Sequence, residues 1–116
     1  MVEDNSIIQT HGIVIDPTRA EVSIDGKPIT LTRTEFLLLR FLAGHAGVDY
    51  SRKQIIDATQ GSDYPVTERS VDVQVTGLRK KLGDLGRLIE AVRGVGYRFR
   101  AEGPIGSTTD MPAESR

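Results

Sequence analysis

Residues 67–100 read TERSVDVQVTGLRKKLGDLGRLIEAVRGVGYRFR, and this stretch decides the fold. Val71, Val75, Leu78 and Leu82 stand at i, i+4, i+7 and i+11, the spacing of one buried helix face. Gly83 is placed to end that helix. After Asp84-Leu85-Gly86, Leu88–Arg93 reads as a strand. Arg93-Gly94-Val95-Gly96 reads as a turn with two glycines free to take positive φ, and Tyr97–Arg100 as the return strand. The stretch is also basic. It holds Arg69, Arg79, Lys80, Lys81, Arg87, Arg93, Arg98 and Arg100 against four acidic residues, a balance of +4, within a 116-residue chain of net charge −1. Residues 1–66 balance at −3 and residues 101–116 at −2. Such asymmetry is more informative than the total when the partner is a polyanion.

Upstream, two helix starts carry their own signals. Thr32 and Glu35 have capping-box spacing, with Leu31 and Phe36 as a hydrophobic staple. Phe36, Leu38, Leu39 and Leu42 then form a buried stripe, and Gly44 or Gly47 ends the helix. Ser51 and Gln54 repeat the box, with Tyr50 and Ile55 as staple, before a short helix stopping near Gly61. Thr67 is a third N-cap, but Ser70 stands where the box would need Glu or Gln. From Ile7 to Leu31 short apolar runs alternate with the turns Asp16-Pro17 and Asp25-Gly26, predicting three or four antiparallel strands. The expected domain therefore runs over 7–101, between a linker remnant or disordered start at 1–6 and a disordered tail at 102–116. Its class is α+β: an N-terminal antiparallel sheet, three helices and a C-terminal hairpin, the outline of a winged helix-turn-helix.

Composition narrows function. There is no cysteine, and His11 and His45 have no metal-ligand spacing, so thiolate chemistry is excluded and no metal is expected. His45 is expected to meet the C-terminal dipole of the first helix. No signal peptide or membrane-length apolar run is legible, which predicts a cytoplasmic protein. Gly94-x-Gly96 lacks the third glycine and following helix of a dinucleotide fingerprint. Neither Glu35 with Asp57 nor Asp72 with Glu90 is placed as an acid–base pair, so no enzyme and no cofactor are expected.

The third helix should turn Arg69, Val73, Thr76, Gly77 and Lys80 away from the core, with Ser70 at the edge and Arg79 and Lys81 on the flanks. Small, polar and basic side chains on one face suit a major groove, where an apolar Val73 can meet a thymine methyl. A solvated amphipathic helix would look similar. Arginines at 93, 98 and 100 suit insertion of the hairpin into a minor groove, although edge-protecting charge is an alternative reading.

Over residues 7–100 these pieces resemble the OmpR/PhoB-type winged-helix output domain of bacterial two-component response regulators. The resemblance rests on Leu31-Thr32-Arg33-Thr34-Glu35-Phe36, Ser51-Arg52, Arg69-Ser70-Val71-Asp72-Val73 with Leu78-Arg79-Lys80-Lys81-Leu82, and Val92-Arg93-Gly94-Val95-Gly96-Tyr97-Arg98. It implies transcriptional regulation through duplex DNA, with the third helix in the major groove and the wing in the minor groove. By position, Arg69, Ser70, Gln74 and Arg79 look like phosphate contacts and Val73 like a methyl or sugar contact. Asp72 and Thr76 look to be near base edges, Lys80 on the same DNA-facing surface, Arg93 in the minor groove and Tyr97 on the DNA backbone. The loop Gln60–Val66, with Gln60, Ser62, Asp63 and Tyr64, looks like an RNA polymerase contact. Head-to-tail dimers on direct repeats, a receiver domain outside this chain and a sensor histidine kinase are the other implied partners; no membrane is. Gln60 stands where a Trp is frequent, and Thr76-Gly77 where some relatives carry two arginines, so a relative's operator does not transfer. A winged helix serving as a protein–protein interaction module is the alternative.

Overall fold

The computed structural model describes residues 6–59 and 67–101. The calls at 1–5, at Gln60–Val66, expected as an RNA polymerase contact, and at 102–116 lie outside the described residues.

Four short strands open the fold: β1 (Ile8–Thr10), β2 (Ile13–Asp16), β3 (Glu21–Ile24) and β4 (Lys27–Ile29). They form an antiparallel sheet in sequential order, with Ile13 opposite Ile24 and Ile15 opposite Val22. Period-two alternation turns Ile13, Ile15 and Val22 into the core. The Asp25-Gly26 turn takes positive φ at both residues, 50° and 85°, the geometry that lets two twisted strands reverse directly.

Helix α1 (Arg33–Gly44) begins with the anticipated reciprocal box. Glu35 N donates to Thr32 Oγ1 at 3.1 Å, and Thr32 N donates to Glu35 Oε1 at 3.0 Å. Phe36, Leu38, Leu39 and Leu42 are buried. At its C-terminal end His45 Nδ1 donates to the Phe41 carbonyl at 2.8 Å, as the dipole argument anticipated. The Ser51–Gln54 box caps α2 (Arg52–Thr59) in the same way.

Helix α3 (Glu68–Leu82) buries Val71, Val75, Leu78 and Leu82. Its start departs from the sequence expectation. Thr67 is the N-cap residue, but its side chain makes no cap bond. Ser70 instead donates both its backbone N–H and its hydroxyl to the Thr67 carbonyl. Gly83–Leu88, expected as a loop running into the strand at Leu88, is a 3-10 segment, and β6 covers Ile89–Val92. Strand β7 (Gly96–Phe99) pairs with β6 on one side and with β5 (Tyr50–Ser51) on the other. Of the two wing glycines expected to be free, only Gly94 has positive φ, 79°. Gly96 lies against the backbone of Tyr50 and Ser51, where a side chain has no room. The three-stranded sheet thus anchors the wing to the base of α2, while α3 packs across α1 and α2. This is the winged helix-turn-helix arrangement.

Candidate nucleic-acid interface

Helix α3 divides into four faces. The core face is the Val71–Leu82 stripe. Opposite it, Arg69, Val73, Thr76 and Lys80 form an exposed ridge at i, i+4, i+7 and i+11. Val73 is 66% exposed, more than any other large apolar side chain among the described residues. Arg69 and Lys80 form no salt bridge among the described residues, although Arg69 is near enough to Asp72 to help lower its pKa. The Thr76 hydroxyl donates to the Asp72 carbonyl within its own helix, leaving the side chain on the ridge.

The two flanks are occupied by other parts of the protein. On one flank Lys81 Nζ donates to Glu35 Oε1 of α1 at 2.7 Å. Gly77 lies on this flank too, and a Cβ there would stand 2.8 Å from Glu35 Oε2. Gly77 was expected on the outward face. It faces α1 instead, because α1 crosses so closely that the carboxylate fills the space a side chain would need. Lys81, expected on a flank of the helix, is held by the same carboxylate. Burial alone would raise the Glu35 pKa, but Lys81 and the Thr32 cap together hold it below the ordinary value.

The other flank faces the wing. The Tyr97 hydroxyl donates to Asp72 Oδ1 at 2.6 Å, and Arg52 Nε of α2 donates to the same oxygen at 2.7 Å. One turn pair further along, Arg79 Nε and Nη2 donate to the Ile89 carbonyl at 3.1 and 2.6 Å. The guanidinium carbons of Arg52 and Arg79 lie 5.4 and 5.9 Å from the Tyr97 ring centroid. Hydrogen bonding from Tyr97, then from Arg52, holds the Asp72 carboxyl below its ordinary range. Burial, then the bond to Asp72, pushes the Tyr97 hydroxyl above its own. Asp72, Arg79 and Tyr97 were expected to face DNA. The structure turns their polar atoms toward one another or toward β6, and Tyr97 is only 6% exposed. The reason is that β7 lies beside α3, an adjacency no helical-wheel argument contains.

The wing also divides its arginines. Arg98 donates to Glu90 at 2.9 Å and to Asp49 at 3.2 Å, and Arg100 Nε donates to Glu90 at 3.1 Å. Burial alone would raise the Glu90 pKa, but the two arginines overcome it and hold it low. Arg93, exposed at the turn, has no acidic partner among the described residues. The arrangement therefore offers a ridge and one wing cation to an outside partner, with most neighbouring charge neutralised internally. Ser70 and Gln74 are half-buried beside the ridge.

Arg52, Glu35, Glu90 and Asp49 had been given no place in the site. Arg52 and Glu35 had a visible signal, their places in the Ser51-Arg52 and Leu31–Phe36 motifs. No group of His, Cys, Asp and Glu that could hold a metal occurs among the described residues, and no helix there is long and apolar enough to cross a membrane.

Comparison with known proteins agrees with the winged-helix fold. Residues 26–99 match the family model described as transcriptional regulatory protein, C terminal. The phosphate regulon transcriptional regulatory protein PhoB of Pseudomonas aeruginosa is 43% identical over 93 residues, covering 79% of this chain and 41% of that protein. The chain thus spans about two-fifths of the length of the curated relatives it matches. The DNA-binding domain of CpxR from E. coli superimposes with a TM-score of 0.74 at 31% identity, covering 84% of this chain and 99% of that one. The Klebsiella pneumoniae RstA DNA-binding domain, solved in complex with the RstA box, gives 0.72 at 34% identity, covering 82% and 97%.

Proposed function

Because the chain belongs to the transcriptional regulatory protein C-terminal family, the OmpR/PhoB-type winged-helix output domains, we propose that it binds duplex DNA and thereby regulates transcription. The observation that carries this reading is the division of the surface around α3. The ridge Arg69, Val73, Thr76 and Lys80 and the wing residue Arg93 face outward, while the flanking charges are engaged inside the fold. The ridge enters the major groove. Arg69 and Lys80, with Ser70 and Gln74 at the edge, meet phosphates, Val73 meets a thymine methyl or sugar, and Thr76 approaches base edges. Arg93 enters the adjacent minor groove, where a narrow groove concentrates negative potential.

Two copies sit head to tail on a direct repeat. In the whole regulator a receiver domain precedes this one and is phosphorylated through a sensor histidine kinase, and the 60–66 loop contacts RNA polymerase. The protein works in the cytoplasm without a cofactor, as a binding module and not an enzyme.

Selection from a pool of random duplexes at low and moderate salt tests the reading. An enriched direct repeat, with half-sites about one helical turn apart, is the expected result. Retention of no duplex even at low salt would overturn it and leave a protein-interaction module.

A further inference from the structure

Of the two acids on α3, Asp72 is spent inside the molecule, and its partners come from the wing and from α2. Asp72 Oδ1 accepts from Tyr97 of β7 and from Arg52 of α2. Seven residues along α3, about 10 Å of helix, Arg79 is bonded to the Ile89 carbonyl of β6. Helix α3 is thus tied to each strand of the wing, once near its start and once near its end. The Arg93 turn that joins those two strands lies just beyond the first tie, since Tyr97 pairs with Ala91 next to the turn and Ile89 pairs with Phe99 at the hairpin's open end.

We propose that the Tyr97–Asp72 hydrogen bond is a clamp that fixes the wing against α3, so that Tyr97 and Asp72 are positioning residues for Arg93. The inference rests on the DNA-binding reading above. A duplex presents its major and minor grooves at a fixed offset, so a wing held in register delivers Arg93 without ordering the hairpin on binding. Without the clamp the hairpin keeps its pairing with β5 and the Arg79–Ile89 tie at its base, but loses the charge-assisted attachment to α3 nearest its turn. The contact at Arg93 then carries an added cost. The clamp also explains a carboxylate on a surface that would meet phosphates: Tyr97 and Arg52 occupy the Asp72 oxygen nearest the wing.

The test uses the 116-residue chain and a duplex recovered by it from a random pool. Tyr97→Phe keeps the ring and removes only the donor. It is expected to weaken binding about tenfold, within the range for a hydrogen bond to a charged group. In an Arg93→Ala background the same change should cost less than about twofold, because the clamp acts through Arg93. Equal losses in both backgrounds would overturn the proposal, since Tyr97 would then act independently of the wing arginine. No loss in either would overturn it as well.

Should Tyr97→Phe fail to fold, Asp72 reads the same bond from its other end, with a difference in sign. Asp72→Ala and Asp72→Asn both remove a negative charge and with it the ion pair to Arg52, so electrostatics alone strengthens binding in both. The clamp predicts weaker binding for Asp72→Ala and near-parent binding for Asp72→Asn, whose amide oxygen can still accept from Tyr97. Stronger binding by both variants would overturn the clamp. Failure of the unsubstituted chain to retain any duplex would instead overturn the DNA reading itself, and the clamp's role with it.

Discussion

Gly77→Ala should destabilise this protein, although the same change in an ordinary helix interior stabilises it. Replacing a helical glycine by alanine gains about 1 kcal/mol in propensity. Here the new Cβ would lie 2.8 Å from Glu35 Oε2, well inside van der Waals contact. The carboxylate must move, and its other oxygen holds Thr32 N at 3.0 Å and Lys81 Nζ at 2.7 Å. Losing the Glu35 side-chain half of the capping box, while the Thr32 hydroxyl still caps Glu35 N, costs about 0.5–1 kcal/mol. Weakening the half-buried charge-assisted bond to Lys81 costs about 1 kcal/mol more. The net expectation is a loss of about 0.5–1 kcal/mol, or about 2–8 °C in thermal midpoint for a domain of this size. In a Glu35→Ala background the obstruction is gone, and Gly77→Ala should stabilise by about 1 kcal/mol. Urea and thermal unfolding of the four proteins of this cycle, followed by circular dichroism at pH 7, measure the sign change. Stabilisation of about 1 kcal/mol in both backgrounds would refute the reasoning and return Gly77 to the status of a solvent-facing helix residue.

Other outcomes follow from the same contacts. With Arg69, Lys80 and Arg93 as the three cations that neutralise DNA charge, the affinity of one protomer for duplex DNA should fall about 40-fold between 50 and 200 mM salt, a logarithmic slope near −2.7. Arg93→Ala should cost about 1–3 kcal/mol of binding and make that slope shallower by about 0.9, both measurable by fluorescence anisotropy titration. Glu35, Asp72 and Glu90 all have carboxyl pKa values depressed by folding, so their stabilisation is complete above the unfolded values of 4.5, 3.8 and 4.5 and is lost as pH falls below them. Denaturation midpoints should therefore decline on acidification below about pH 4.5, and Glu35→Gln should flatten part of that decline. Deleting residues 103–116 should leave the thermal midpoint unchanged, since the described residues from Ile13 to Phe99 already form a close-packed hydrophobic cluster; a clear drop in a melting experiment would show that the tail packs.

The elements themselves were legible in the sequence because each is specified by neighbours a few residues apart. The Thr32–Glu35 and Ser51–Gln54 boxes, the Asp25-Gly26 reversal and the Val71–Leu82 stripe are local statements, and the folded chain keeps them. Thr67 failed as a side-chain cap where the sequence already lacked the reciprocal Glu or Gln at Ser70. The 3-10 course of Gly83–Leu88 was hidden because Gly86 is fixed by its approach to the Arg79 backbone, a contact between α3 and the turn that follows it.

The sequence by itself thus determined which segments are helical, which face of α3 is buried, that a hairpin follows it, and which family the chain belongs to. Periodicity and capping report on one element's own backbone, and shared motifs report on descent. Only the tertiary structure decided what the flanks of α3 do. Gly77 and Lys81 are matched to Glu35, 42 and 46 residues away in sequence, and Asp72 to Arg52 and Tyr97. A helical wheel places these residues beside the outward face, but whether a polar side chain there is available to a partner depends on what packs next to it. Electrostatic and hydrogen-bonding partners are chosen by proximity in space, and that proximity exists only after the sheet, α1 and the wing have closed around the helix.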